Sequence, residues 1–262
     1  MGHVSMRSSK EALLSVQEIS KSFHSQNGSL NVLKNISFDI DRGEFVSILG
    51  PSGCGKSTLL KICSSIIQQD SGTVSISGVS VQTPDKNRIL MLQDDNQLFP
   101  WLTVEKNVAF AIRTSDSIRK ESDVTYLLDM AGLSDFSNYY PHQLSGGMKK
   151  RTALARALAG NPEILLMDEP FGSLDAKIKI KLQDFLLDIW KKYKLTILFV
   201  THDIHEAIQL GERIMVVNEV GEIICDEKNS LNRMNQSSED ELFKLYRKYY
   251  KMLTTVDLPI PV

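Results

Sequence analysis

A glycine-rich run early in the chain has the residue types needed to hold the phosphates of a nucleotide. Residues 50 to 58 read GPSGCGKST and match the pattern G-x-x-x-x-G-K-[ST]. Glycines let successive backbone N–H groups turn inward around a phosphate, where side chains would collide. The Lys56 ammonium can reach the β- and γ-phosphates, and the Ser57 hydroxyl can ligate Mg²⁺. The residues expected to line this loop are Gly50, Pro51, Ser52, Gly53, Cys54, Gly55, Lys56, Ser57 and Thr58.

The residues on either side of this loop favour a strand before it and a helix after it. Residues 44 to 49 read EFVSIL, and residues 57 to 67 read STLLKICSSII. A helix N-terminus that follows a glycine loop attracts anions, because its free N–H groups and its dipole both face the loop. An ordinary glycine-rich turn would need neither flank. We therefore interpret residues 50–58 as a phosphate-binding loop, the P-loop.

Two adjacent acids end an apolar run in the second half of the chain. Residues 163 to 170 read EILLMDEP. Asp168, at the end of the run, is suited to hold Mg²⁺ through its water shell. Glu169 can orient or deprotonate an attacking water. The alternative is a buried parallel strand followed by a solvated acidic turn.

A second candidate phosphate site is the run LSGGM at residues 144 to 148. Ser145 can cap a helix that starts near Met148, and Gly146 and Gly147 leave the N–H groups uncovered. Since the P-loop already supplies one phosphate site, a nucleotide on a partner subunit would explain a second. A plain capped helix with a glycine entry fits LSGG equally well.

Six elements in this order make the chain resemble the ATP-binding cassette (ABC) family over roughly residues 14 to 228. They are GPSGCGKST, Gln93, LSGGM, ILLMDEP, SLDA at residues 173 to 176, and His202 within FVTHD. The resemblance implies an α/β fold: a P-loop NTPase (RecA-like) core with an N-terminal antiparallel β subdomain and an inserted helical subdomain. It also implies that two subunits close head to tail and trap each ATP between one P-loop and the other subunit's LSGG.

The resemblance also implies catalytic roles, with ATP and Mg²⁺ as the bound species. Lys56 would neutralise the γ-phosphate and Glu169 would be the general base. Gln93 would sense Mg²⁺ and the γ-phosphate, and His202 would hold the γ-phosphate and the attacking water in place. Read without the family, Gln93 could be a turn residue and His202 a satisfied strand-end histidine, although the run TILFV before His202 and HD from it onward argue against the latter. The implied magnesium ligands are Ser57, Gln93 and Asp168.

Further roles implied by the resemblance concern the base and the partner subunit. Phe23 occupies the position of an aromatic ring that stacks on adenine, where the family more often has Tyr. Ser145 and Gly147, with Gly146 between them, would contact the γ-phosphate of a nucleotide on the partner. Asp175 would link the two ATP sites across the dimer.

Composition limits the other classes of function. The chain has 262 residues, 42% of them hydrophobic, and a net charge of −2, which gives no electrostatic footprint for nucleic acid. No apolar run approaches the roughly 18 residues that span a bilayer, and the N-terminus lacks a signal peptide's apolar region. We therefore expect a cytoplasmic chain. Its cysteines are expected to be reduced, and a lowered pKa is expected for Cys54, beside a helix N-terminus.

Three segments are expected along the chain. Residues 1–13 form a tail, residues 14–228 the ATPase domain with a helical subdomain at about 94–160, and residues 229–262 a linker and a C-terminal helix. Ser238 and Glu241 would form the capping box of that helix. The helix either packs back on the core or contacts a regulatory or membrane partner. Its apolar stripe comprises Leu242, Leu245, Tyr246, Tyr249 and Leu253.

The segment directly after Gln93 is the clue to a partner. Residues 98 to 102 read LFPWL, which fits a core-forming turn as well as a binding groove. In ABC transporters this region takes a short cytoplasmic helix of the membrane subunit. The chain resembles the importer ATPases of the nitrate, sulfonate and taurine type in three segments, QDDNQLFPW, PHQLSGGM and MDEPFGSLDA. Bicarbonate transport systems share that type.

The resemblance thus predicts four partners or solutes outside the chain. They are a second copy or a paralogous ATPase subunit, a transmembrane permease, indirectly an extracytoplasmic solute-binding protein, and a small anion-like solute. The chain would sit peripherally on the cytoplasmic face of the cell membrane. The alternative is a soluble ABC ATPase acting on a non-membrane partner such as a cofactor-assembly scaffold.

Overall fold

Two β-sheets organise the molecule. The computed structural model describes residues 12–25, 28–93, 97–114, 122–172, 174–229, 231 and 239–254. An antiparallel sheet has the strand order β2-β1-β4-β5 and contains β1 (Ala12–Ser25), β2 (Gly28–Asp41), β4 (Ser71–Ile76) and β5 (Val79–Ser80).

The second sheet is mainly parallel and has the strand order β10-β9-β3-β8-β7-β6. Only β10 runs antiparallel to its neighbour. The combination confirms the predicted α/β fold with an N-terminal antiparallel sheet. The strands are β3 (Phe45–Leu49), β6 (Arg88–Met91), β7 (Ile164–Asp168), β8 (Thr196–Thr201), β9 (Arg213–Val217) and β10 (Ile223–Lys228).

Helices cover both faces of the parallel sheet. Three of them, α2 to α4, lie in the chain between β6 and β7, where the inserted helical subdomain was expected, and Gly160 caps the end of α4. The helices are α1 (Lys56–Cys63), α2 (Val104–Thr114), α3 (Ser122–Met130), α4 (Gly146–Ala159), α5 (Ala176–Tyr193), α6 (Ile204–Leu210) and α7 (Glu239–Thr254).

Alternate side chains of the parallel strands enter two different cores. In β7, Ile164 and Leu166 pack with α1 and the antiparallel sheet, whereas Leu165 and Met167 pack with α2 to α5. All five residues of β7 are buried, as expected of a strand covered on both faces. Because α2 to α4 share their core with the sheet, the domain boundaries at residues 94 and 160 stay a prediction.

The carboxyl ends of four parallel strands meet at one edge of the sheet. Leu49 of β3 pairs with Thr201 of β8, Val200 of β8 with Asp168 of β7, and the last residue of β6 with Met167. The segments that leave these strands carry the four residues expected to be catalytic, Lys56, Gln93, Glu169 and His202. The sheet register therefore brings together segments that are far apart in the chain.

The C-terminal helix α7 packs back on the core. Tyr249 is fully buried, in a cluster that contains Ile204 and Ile208 of α6. Its hydroxyl donates a 2.7 Å hydrogen bond to Oε1 of Glu227 on β10. The expected capping residue Ser238 lies outside the described residues. In the part of the chain that the structure describes, no helix has both the length and the apolar character needed to cross a bilayer.

We predict that Tyr249→Ala lowers the free energy of unfolding by about 3–5 kcal/mol, because it leaves a cavity under α7. Tyr249→Phe should cost only about 1–2 kcal/mol, the loss of one buried hydrogen bond. Urea unfolding followed by far-UV circular dichroism measures both. Tyr250→Ala, at a neighbouring exposed position, is the control, and an equal loss in that variant would contradict the buried role of Tyr249.

Candidate site for nucleotide binding and hydrolysis

The P-loop is closed around positions that only glycine can occupy. Gly55 has a φ of +97°, and a Cβ there would lie 2.5 Å from the carbonyl oxygen of Val32 on β2. A Cβ at Gly50 would lie 2.8 Å from the carbonyl oxygen of Val217. Since these obstacles are backbone atoms, the loop would have to move to admit a side chain. The N-terminus of α1 follows directly at Lys56 and points its free N–H groups at the loop.

The Lys56 ammonium lies inside the loop. Its Nζ donates to the carbonyl oxygens of Gly50 and Pro51, at 2.8 and 2.6 Å, and the residue is buried. Two neutral carbonyls hold the charge without neutralising it. An anionic phosphate in the cradle is therefore the complement that this ammonium requires.

Ser57 and Asp168 meet at the sheet edge although they are far apart in sequence. Ser57 Oγ donates to Asp168 Oδ1 at 2.9 Å. Burial raises the pKa of the Asp168 carboxyl, while the Ser57 hydrogen bond works in the opposite direction. A hydroxyl and a buried carboxylate are hard oxygen ligands, and a divalent cation would compensate the buried charge. The pair therefore fits Mg²⁺.

Glu169 lies between two of the predicted catalytic residues. Its Oε1 is 2.9 Å from Nδ1 of His202, and its Oε2 accepts a 3.3 Å hydrogen bond from Nε2 of Gln93. Glu169 has a φ of 45°, in the left-handed region that non-glycine residues rarely adopt. Its N–H is fixed by the carbonyl oxygen of Val200, at 3.0 Å. The backbone of Glu169 is thus held in a strained conformation at the sheet edge, and this fixes the point from which its side chain leaves.

Two of the predicted partner-facing residues cap helices. Ser145 Oγ accepts from the N–H of Met148 at the start of α4, at 3.3 Å, and Asp175 Oδ1 accepts from the N–H of Ile178 at the start of α5, at 3.0 Å. Ser145, Gly146 and Asp175 are exposed. Gly147 follows Gly146 in the first turn of α4. The N-terminus of α4 is therefore open to a group brought from outside the chain.

Phe23 is exposed near the P-loop side of the antiparallel sheet. Its ring is 42% exposed, and the nearest cation, Nζ of Lys21, is 5.5 Å from the ring centroid. Lys21 pairs across the sheet with Leu33, whose side chain would touch a Cβ at Gly55. The exposed part of this side chain can stack on a flat ligand.

One expectation about this site is wrong. The pKa of Cys54 was expected to be lowered, but burial raises it, and the nearby charge of Lys56 only partly offsets that effect. Cys54 is 3% exposed, with Sγ 3.8 Å from Nζ of Lys56. The loss of hydration of a thiolate outweighs the attraction of the ammonium, which already serves two carbonyl oxygens.

A cluster of charges next to His202 was not predicted from the sequence. Lys179 of α5 lies 2.8 Å from Asp203 and 2.7 Å from Glu206. The available signal was the spacing D-x-x-E after His202, which is the pattern of a helix N-cap and its third residue. That pattern shows that Asp203 caps α6, but not that a lysine of another helix contacts it.

Together, the P-loop, the Ser57–Asp168 pair and Glu169 define a P-loop protein that hydrolyses a nucleotide. A family model described as "ABC transporter" matches residues 33–172. The chain belongs to the ABC transporter family, which confirms the resemblance seen in the sequence, and it is an ATPase of that family.

Several relatives are named as ATP-binding proteins of import systems. "Aliphatic sulfonates import ATP-binding protein SsuB" of Bacillus thuringiensis subsp. konkukian is 42% identical over 241 residues, which cover 90% of this chain and 95% of the relative. "Nitrate import ATP-binding protein NrtD" of Synechocystis and "Taurine import ATP-binding protein TauB" of Roseobacter denitrificans are each 42% identical over 207 residues. Each match covers 78% of this chain and 77% of the relative.

Solved structures support the same family. The ATP-binding cassette MJ0796, in a dimeric post-hydrolysis state bound to ADP and Pi, has a TM-score of 0.74 and 35% sequence identity to this chain. The match covers 82% of this chain and 98% of that one. A second dimeric structure of MJ0796 matches with a TM-score of 0.73.

We predict that iodoacetamide modifies Cys54 more slowly than free cysteine at neutral pH, because the raised pKa leaves less thiolate and the side chain is buried. Once attached, the adduct should block ATP binding, because the Cys54 thiol already fills the interior of the loop. A Cβ added at Gly50 would lie only 2.9 Å from Sγ of Cys54. Mass spectrometry of the labelled site and a nucleotide-binding assay measure the two effects. Cys54→Ala should bind ATP and resist the reagent, whereas full binding after stoichiometric labelling at Cys54 would contradict the prediction.

Proposed function

We propose that this chain is the ATP-hydrolysing subunit of an ABC importer, in which closure of an ATP-bound dimer drives a separate membrane permease. The observation that carries the proposal is the contact of Glu169 with both Gln93 and His202, at the same sheet edge as the Ser57–Asp168 pair. The names of the relatives favour a nitrate-, sulfonate- or taurine-like solute, and the sequence resemblance extends this to a bicarbonate-like solute or another small anion. The alternative is a soluble ABC ATPase that acts on a non-membrane partner such as a cofactor-assembly scaffold.

Hydrolysis would use the residues at this edge in distinct roles. The P-loop amides and Lys56 would bind the phosphates. Ser57 and Asp168, with Gln93, would hold Mg²⁺, which would supply charge neutralisation at the phosphate oxygens. Glu169 would accept the proton of the water whose oxygen attacks the γ-phosphorus. The bond from that phosphorus to the β–γ bridging oxygen breaks, and ADP leaves with the electron pair. His202 orients Glu169 and the γ-phosphate.

Each site would be completed by a second ATPase subunit, either another copy of this chain or a paralogue. The exposed N-terminus of α4, with Ser145, Gly146 and Gly147, would bind the γ-phosphate held by the partner's P-loop. Asp175 would contact the partner's site, and Phe23 would stack on adenine. The dimeric state of the MJ0796 structures supports this arrangement.

The permease would dock in an apolar groove beside Gln93. The groove has a volume of about 240 Å³ between β6, α2 and α4. Trp101 at its side is 70% exposed and lies 5.5 Å, centroid to centroid, from Phe99, which contacts Phe110 at 4.8 Å. Leu98, in contrast, is buried and belongs to the core. Exposed aromatic rings beside an open groove favour a protein partner.

The importer model also predicts where the chain works. It would be held peripherally at the cytoplasmic face of the cell membrane through the permease. An extracytoplasmic solute-binding protein would act only indirectly, through that permease. Solute specificity would lie in those two partners, because the ATP site does not contact the solute.

We predict that Glu169→Gln binds ATP with near-normal affinity but lowers kcat by about 100-fold or more, because the amide cannot accept the proton of the attacking water. The uncleaved ATP should then stabilise a closed dimer. Size-exclusion chromatography with light scattering, with ATP and with ADP, measures dimer formation, and phosphate release measures turnover. Normal turnover by this variant would remove Glu169 from the role of base.

We predict that Trp101→Ala keeps ATP binding but weakens assembly with the permease, because it removes the most exposed aromatic ring at the groove. The test is a mild-detergent pull-down of the tagged Glu169→Gln chain with ATP, with partners identified by mass spectrometry. Recovery of a polytopic permease that Trp101→Ala reduces supports the importer. Phe243→Ala, at an exposed aromatic on α7, is the control. Recovery of only soluble partners from a membrane-containing extract would favour the alternative.

A further inference from the structure

Lys179 connects two elements that flank the catalytic edge. It lies in the second turn of α5, the helix capped by Asp175, and its own N–H donates to the carbonyl oxygen of Asp175 at 2.9 Å. Its ammonium reaches away from α5, to Asp203 Oδ2 at 2.8 Å and to Glu206 Oε1 at 2.7 Å. One residue therefore ties the start of α5 to the first turn of α6.

The contacts of α6 fix the chain on both sides of His202. Thr201, directly before it, donates from Oγ1 to Glu206 Oε2 at 2.6 Å and accepts from the N–H of Asp203 at 3.0 Å. Asp203, directly after it, caps α6 through the N–H groups of His205 and Glu206. The backbone on either side of His202 is thus held by a network that ends on Lys179.

Lys179 is needed for the charge balance of this network. The Glu206 side chain is only 6% exposed, and a buried carboxylate requires a nearby cation. Burial is the largest single effect on Asp203 and opposes its ionisation. The hydrogen bond and charge of Lys179, together with the N–H groups of Glu206 and His205, outweigh it and lower the pKa of the Asp203 carboxyl. Without the ammonium, two carboxylates would face each other beside His202, and α6 would lose its link to α5.

We propose that Lys179 is a positioning residue, which holds His202 at Glu169 by tying the first turn of α6 to the Asp175 end of α5. The inference rests on the proposed catalytic roles of His202 and Glu169. Since Asp175 would contact the partner's site, the same link would make the position of His202 depend on how the partner engages α5. Lys179 itself touches no reacting atom.

The test measures kcat and KM for ATP in the full chain. Lys179→Met should lower kcat by about 10-fold and change KM by less than about 2-fold, because misplacement of a catalytic group acts on the reaction step rather than on ATP binding. Lys179→Arg should recover most of the loss. Lys181→Met, an exposed lysine on the same helix, is the matched control and should turn over like the unmodified chain.

A second variant separates a loss of stability from a loss of catalysis. Lys179→Met leaves Glu206 without its cation, so thermal unfolding is measured for each variant. The double variant Lys179→Met/Glu206→Gln removes both charges of this buried pair while leaving an oxygen to accept from Thr201. It should regain the unfolding temperature and still show the loss in kcat. A normal kcat in the folded double variant would overturn the proposal.

A double-mutant cycle with His202→Ala separates this proposal from the proposed catalytic roles. In single-turnover hydrolysis, Lys179→Met should cause no further loss in the His202→Ala background, since both changes remove the same interaction. Independent, multiplicative losses would overturn the role of Lys179. Full activity of His202→Ala alone would refute the role assigned to His202, whereas an impaired His202→Ala beside a normal Lys179→Met would refute only the present proposal.

Discussion

Parallel pairing of β3, β8, β7 and β6 is the interaction on which the site depends. The backbone hydrogen bonds set Leu49 opposite Thr201 and Asp168 opposite Val200, so the loops after these strands leave from one line of the sheet. The pairing is fixed by burial on both faces, because a shift of one residue would exchange the side chains that enter the two cores. A rigid edge is thereby available to hold catalytic groups that no single segment could place.

The electrostatics of this edge are those of a site built to receive charge. Lys56 donates to two carbonyl oxygens, and burial raises the pKa of the Asp168 carboxyl although the Ser57 hydroxyl donates a hydrogen bond to it. Bound phosphates and a divalent cation would satisfy both groups at once. The protein itself supplies the fixed geometry, so little reorganisation is required when the substrate binds.

Helix α6 is held from two sides, which makes the position of His202 a property of the surrounding fold. Lys179 links its first turn to α5. On the other side, the ring of His205 stacks on Tyr246 of α7 with a centroid distance of 4.7 Å, and Tyr249 anchors α7 in the core. The C-terminal helix therefore belongs to the support of the catalytic edge. Its sequence alone favoured packing on the core, with a partner contact as the alternative.

The sequence by itself determined the features that depend on neighbours in the chain. The glycine spacing of residues 50–58, the strand that precedes it and the Ser145 cap are local, because backbone sterics and helix-end hydrogen bonds act within a few residues. The family resemblance rests on those local motifs and their order. The fold class could be predicted because strands and helices alternate along the chain, which favours a parallel sheet. The structure confirmed that prediction.

Only the tertiary structure decided which distant residues meet. Ser57 and Asp168 are 111 residues apart, and Gln93 and Glu169 are 76 apart, yet strand order makes them neighbours. Burial was equally hidden: it raised the pKa of Cys54 where the helix N-terminus alone predicted a lower value. Contacts and desolvation depend on packing between segments, and a linear pattern does not contain that packing.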